Sequence, residues 1–102
     1  MSARRRRLTF TPEARQDIRD ILIYTEGRWG KRQRSTYKTK LDQGIQILVR
    51  YPYRGQARDD VSPGLRGLLV EAHTVYYRVE DKAVNVIRVL HSAMDVASHI
   101  RH

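Results

Sequence analysis

Between Leu68 and Leu90 the chain reads LLVEAHTVYYRVEDKAVNVIRVL. Apolar, β-branched and aromatic residues fall there in three runs, Leu68–Ala72, Thr74–Glu80 and Val84–Leu90. Such runs favour strands. Asp81-Lys82 supplies the turn between the last two, and links this short join antiparallel strands. If Val79 pairs with Val84, one face carries Val75, Tyr77, Val79, Val84, Val86 and Leu90. The other carries Tyr76, Arg78, Ile87, Val89 and His91. The first set is apolar enough to need a cover. A slip of one residue would exchange the faces.

The cover lies upstream. Leu8-Thr9-Phe10 alternates and reads as a short strand. Thr11-Pro12-Glu13 is a strong helix start: the Thr hydroxyl accepts from an early amide, Pro presets φ, and Glu suits the positive helix end. Ala14, Ile18, Ile21, Leu22 and Thr25 then share one face. Gly27 and Gly30 bracket the helix end, and Trp29 between them is expected to pin the turn to the core. A second helix is expected from about Lys31 to Tyr51, with Tyr37, Leu41, Ile45 and Leu48 at the helical period. Gly44 in its middle costs about 1 kcal/mol relative to Ala, which predicts a close approach to the first helix. Two helices on a short link form an antiparallel hairpin, and Pro52 ends it.

Tyr53–Gly67 holds Gly55, Pro63, Gly64 and Gly67 with Arg54, Arg58, Asp59 and Asp60. So long a connection usually crosses between layers or carries function. An ordered crossing pinned by local Arg–Asp pairs is expected. From Ser92 on, Met94, Val96, Ala97 and Ile100 follow helical spacing and predict a short C-terminal helix. The fold class is thus α+β: a short N-terminal strand and a helical hairpin packed on a small antiparallel sheet, with a short C-terminal helix.

The chain has 102 residues, 20 Lys+Arg against 11 Asp+Glu, a formal net charge of +9 and no cysteine. Its length points to one domain over residues 1–102, with 1–7 as a basic tail expected to be flexible. Without cysteine there are no disulfides, thiolate metal sites or Cys nucleophile. The apolar runs fall far short of the ~20 residues a membrane-spanning helix needs, and the N-terminal arginines are followed by no secretory-type apolar segment. A cytoplasmic location and no membrane partner are expected. Such a charge fits nucleic acid, an acidic protein or an anionic membrane surface. Arg4–Arg7 form one block, whose plainer reading is a solvated terminus. Arg28, Lys31, Arg32, Arg34, Lys38 and Lys40 form another, with no acid between Glu26 and Asp42.

No nucleotide-binding glycine motif or nucleophile elbow is present. The histidines at 73, 91, 99 and 102 lack a zinc spacing, so no metal and no cofactor is expected. Metal-independent RNA cleavage needs a base, a cation for the developing charge and an acid. His91, Arg78, Arg66 and Tyr76 would supply these if they met on the mixed sheet face. The plainer reading makes His91 a hydrogen-bonded strand end, Tyr76 a packing residue and Arg78 a partner of a local acid.

The run Thr11-Pro12-Glu13-Ala14-Arg15-Gln16-Asp17-Ile18, continuing to Ile21 and Tyr24, resembles the opening helix of the ParE toxins of the RelE/ParE superfamily. Trp29-Gly30 resembles their helix-to-helix turn, and Pro63-Gly64-Leu65-Arg66 their segment entering the sheet. Tyr76-Tyr77-Arg78-Val79 and Arg88-Val89-Leu90-His91, with Met94-Asp95 following, resemble their last two strands. The resemblance covers about residues 8–96 in unbroken order.

It implies a type II toxin, with the first short strand joining the sheet at an edge. It also implies inhibition of DNA gyrase and blocked replication, with no catalytic residues, and neutralisation in a hetero-oligomer with a cognate antitoxin. Such antitoxins present a disordered, often acidic segment that folds on the toxin. The expected contacts are Arg15, Arg19 and Lys38 for charge, with Ile87 and Val89 for apolar burial. The RelE branch instead cuts mRNA on the ribosome, typically with Lys, Arg and Tyr or His on the concave sheet face. Arg66 and His91 stand where some of those nucleases carry Arg and His, but Ser92-Ala93-Met94-Asp95 lacks the tyrosine some of them have. A basic nucleic-acid-binding module without toxicity is a third possibility, but no run of exposed aromatics of the kind that stacks single-stranded bases is expected among these basic residues.

Overall fold

The computed structural model describes residues 6–100. Most of the expected basic tail, and His102, lie outside the described residues. Of that tail, Arg7 opens the first strand and Arg6 Nε donates to the Glu80 carbonyl at 2.8 Å. The elements are β1 Arg7–Phe10, α1 Pro12–Trp29, α2 Lys31–Arg50, β2 Gln56–Ala57, β3 Leu65–Val70, β4 His73–Val79, β5 Ala83–His91 and a single 3-10 turn, Val96–Ser98. They build one five-stranded sheet in the order β1-β5-β4-β3-β2. β1 runs parallel to β5 at the edge, and the other pairings are antiparallel. No helix among the described residues is long and apolar enough to cross a membrane.

Thr11 caps α1 as expected: its hydroxyl accepts from the Ala14 amide at 3.0 Å. The same hydroxyl donates to the Ile87 carbonyl at 2.7 Å, tying the helix start to β5. Ala14, Leu41, Ile45 and Leu48 pack with Val75, Tyr77, Val84, Val86 and Val89 in the main core. The hairpin therefore covers one sheet face.

Several expectations need correction. The first meander strand begins at Leu65, not Leu68, because Arg66-Gly67 interrupts the apolar pattern without interrupting the pairing with β4. Gly44 makes room for β3 rather than for α1: a Cβ there would sit 2.6 Å from Val70 Cγ2. Trp29 is 60% exposed and does not pin the turn to the core. The C-terminal segment does form the expected short helix, a single 3-10 turn at Val96–Ser98. It buries Val96 and Ile100, while Met94 stays exposed.

Val79 does pair with Val84. The register then shifts: Tyr77 faces Val86, but Tyr76 faces Arg88, leaving Ile87 without a partner. This bulge exchanges the faces of everything beyond it on β5. Val89 joins the helix-covered core and Leu90 moves to the opposite face, the reverse of the expected arrangement.

That opposite face has its own cover. Val61, Leu65, Tyr76, Leu90, Val96 and Ile100 form a second core, with Ile87 packed against it. The crossing segment supplies Val61 and is pinned by Arg58, whose Nε donates to Asp60 at 3.0 Å, and by Asp59, which accepts from the Gly64 amide at 2.9 Å.

Candidate functional site

The groups considered for RNA cleavage are divided. Leu65 opposes Arg78 and Gly67 opposes Tyr76, so Arg78 and Tyr76 share the face closed by the C-terminal segment. Paired residues in a sheet point to the same side. Tyr76 is 6% exposed, and Arg78 donates to the Ser62 hydroxyl. Arg66 opposes Tyr77 on the helix side, where its guanidinium donates to the Gly55 carbonyl at 2.6 Å and lies 5.0 Å from the Tyr53 ring centroid. The bulge turns His91 to the helix side too, at the far end of the strands, where it opposes His73. The four residues form no common site.

Asp17 does structural work that the sequence did not reveal. Its carboxylate accepts from Arg88 Nε at 2.7 Å and from Arg88 Nη2 at 2.9 Å. It also accepts from the Val89 amide at 2.9 Å. Arg88 in turn donates to the His99 carbonyl at 3.2 Å, so one ion pair links α1, the edge of β5 and the C-terminal segment. The Asp17 hydrogen bond, more than the neighbouring charges, raises the Arg88 pKa, against the cost of burial.

A cavity of about 460 Å³ opens where the turn between α1 and α2 meets the ends of β4 and β5. Tyr24, Trp29, Gln33, Tyr37, His73 and His91 are among the residues lining it. The Tyr37 hydroxyl lies 2.5 Å from His73 Nδ1, and the His73 and His91 rings meet edge to face at 5.3 Å. His91 Nδ1 accepts from the Ala93 amide at 3.1 Å. Burial, and then the proximity of His91, push the His73 pKa down. Burial pushes the Tyr37 phenol up. Trp29 and Tyr24 stand in the mouth, 60% and 62% exposed. Sequence reasoning missed this site because it assigned Trp29 to the core. The signal was present in a tryptophan set between Arg28 and Lys31 in a turn.

Of the expected partner contacts, Arg15, Arg19 and Lys38 are exposed. Arg15 lies over the Phe10 ring at 5.3 Å, Arg19 donates to Gln16 at 2.8 Å, and Lys38 pairs with Asp42 at 2.7 Å. Arg15 and Arg19 line one shallow depression with Phe10 and Ile18. Ile87 is partly buried against the second core. Val89 is 2% exposed beneath the helices, so it has no apolar surface to offer, another consequence of the bulge. No group of three or more metal-ligating side chains occurs among the described residues.

A small sheet with a helical hairpin on one face and the C-terminal segment on the other is the fold that the comparisons with known proteins place in a family. The family described as "ParE toxin of type II toxin-antitoxin system, parDE" matches residues 8–96. Toxin ParE1 of Caulobacter vibrioides is 36% identical over 87 residues, covering 85% of this chain and 90% of that one. Toxin ParE1 of Mycobacterium tuberculosis is 36% identical over 91 residues, covering 88% and 93%. In structure, the chain is similar to a component of the chromosomal ParDE system from P. aeruginosa, with a TM-score of 0.76 at 20% identity over 87% of this chain and 98% of that one. It is less similar to a chain of the E. coli DinJ-YafQ toxin-antitoxin complex, with a TM-score of 0.62 at 17% identity over 87% and 94%. The chain belongs to the ParE toxin family and is a ParE-type toxin of a type II toxin–antitoxin system.

Proposed function

We propose that this toxin acts by occupying a working surface of DNA gyrase, cleaves no RNA, and is silenced when a cognate antitoxin folds onto it. The observation that carries this reading is the closed sheet face. Tyr76 is packed with Leu65, Leu90, Val96 and Ile100 at 6% exposure, and Arg66 and His91 lie elsewhere. A ribonuclease needs its base, acid and cation within reach of one phosphate; here the chain's own tail fills that space. Gyrase is the target that the resemblance to the ParE branch implies.

The antitoxin reading rests on family membership and on charge. A surface of net charge +9 steers an acidic disordered segment toward it. Arg15 and Arg19 on α1, Lys38 on α2 and the partly exposed Ile87 are the proposed contacts.

Inducible expression in bacteria, with and without the adjacent small gene, should give growth arrest, filamentation and a DNA-damage response only when that gene is absent. Purified toxin should lower supercoiling by purified gyrase and leave mRNA intact in a translation extract. His91→Gln should keep the activity. Reversing charge at Arg15 and Arg19 together should weaken antitoxin binding. Transcript cleavage with gyrase untouched would overturn the reading.

A further inference from the structure

We propose that the turn between α1 and α2 is a nucleic-acid contact of the toxin itself. An unpaired base of a single strand seats against Trp29 and Tyr24, and Arg28, Lys31 and Arg32 neutralise the flanking phosphates.

Three independent features converge there. First, the chain's one tryptophan is 60% exposed, with Tyr24 edge-on to it at 6.0 Å and 62% exposed. These rings open into the cavity of about 460 Å³, inside the size range of small-ligand pockets. The Gln33 amide and the His73 and His91 rings line its wall and give hydrogen-bonding partners for a base edge.

Second, the rim is cationic and unspent. The Arg28 guanidinium lies 5.7 Å from the Trp29 ring centroid. Arg28, Lys31 and Arg32 form no ion pair among the described residues, whereas the nearby acids are used: Glu26 by Arg34 at 3.4 Å and Glu71 by Lys40 at 3.5 Å. Third, the placement costs stability. α2 starts with Lys31 and Arg32, with no acid in its first turn and no side-chain cap. Cations at that end oppose the helix dipole. Local rules are broken in this way where function demands it.

Aromatic platforms interleaved with a cationic track are the chemistry that binds single strands without sequence preference. A strand offers a flat ring and a phosphate at every nucleotide. An acidic peptide offers the charge but a flat ring only at occasional side chains. The contact is separate from gyrase binding, and its test reads binding by the toxin alone, so either can fail without the other.

The test titrates purified toxin with a short oligothymidylate. Trp29 emission should be quenched saturably. Three neutralised phosphates on a single strand predict a slope of about −2 for log affinity against log salt. Anisotropy of a labelled strand should show Trp29→Phe within a few-fold of the parent and Trp29→Ala about ten-fold weaker. Replacing Arg28, Lys31 and Arg32 together by Ser should flatten the salt dependence. All these side chains are exposed, so the variants should still unfold cooperatively, with Tm moved by no more than the small helix-dipole and propensity terms at these positions. The proposal fails if an abasic strand of equal length binds as tightly. It fails also if a duplex outcompetes the single strand, or if a Glu/Tyr copolymer quenches Trp29 at equal or higher affinity, which would assign the site to an acidic polypeptide.

Discussion

Asp17 shows how much one side chain can carry. Its side chain is 14% exposed and that of Arg88 is 21% exposed, and the pair is doubly hydrogen-bonded. Removing the acid would leave a partly buried guanidinium and the Val89 amide without a partner. Asp17→Ala should therefore cost about 2–4 kcal/mol, read as a fall in Tm of roughly 10 °C or more for a domain of this size. The sequence placed Asp17 in a helix and Arg88 in a strand, but nothing local could join residues so far apart. His73 offers a second expectation. Burial and His91 hold its pKa below the ordinary 6.5, with Tyr37 on its other side. The unfolded chain then takes up the proton first, so stability should fall as the pH drops below about 6.5 and level off below the native value. Thermal unfolding between neutral and mildly acid pH should show this loss, and His73→Gln should lack that part of it.

At the scale of elements, local chemistry predicted what local chemistry controls. The Thr11-Pro12 start, the period of Tyr37, Leu41, Ile45 and Leu48, and the Val79–Val84 pairing all stand as expected. The failures come where two elements meet. Gly44 is legible as a close approach, but which neighbour approaches is a tertiary fact. Gly44→Ala gains about 1 kcal/mol of helix propensity and forces Cβ against the stiff, β-branched Val70, an overpacking that costs about 1–3 kcal/mol. A net loss of about 1 kcal/mol in chemical denaturation is expected on these terms. In a Val70→Ala background the same change should stabilise, because the clash is gone. The β5 bulge is the costlier omission. One unpaired residue, Ile87, reassigned Val89, Leu90 and His91 to the faces opposite those expected, and with them the candidate site.

Across the whole molecule, the sheet is sandwiched between the helical hairpin and the chain's own tail. The tail's contribution is measurable: Ile100, 5% exposed in the second core, should cost about 2–4 kcal/mol on Ile100→Ala. Equilibrium unfolding should show this loss, and the variant should bind an apolar dye more readily as Tyr76 and Leu90 are uncovered. The sequence alone determined the α+β class, the helix starts, the meander and the cationic character, because capping, periodicity, turn residues and net charge all act over a few residues or over the sum of them. Only the tertiary structure decided that the mixed face is closed, that His91 and Arg66 part company with Arg78 and Tyr76, and that Trp29 faces solvent among unpaired cations. Those outcomes depend on pairing register and on contacts between distant segments, and a one-residue slip in a strand of period two reverses every side chain that follows it.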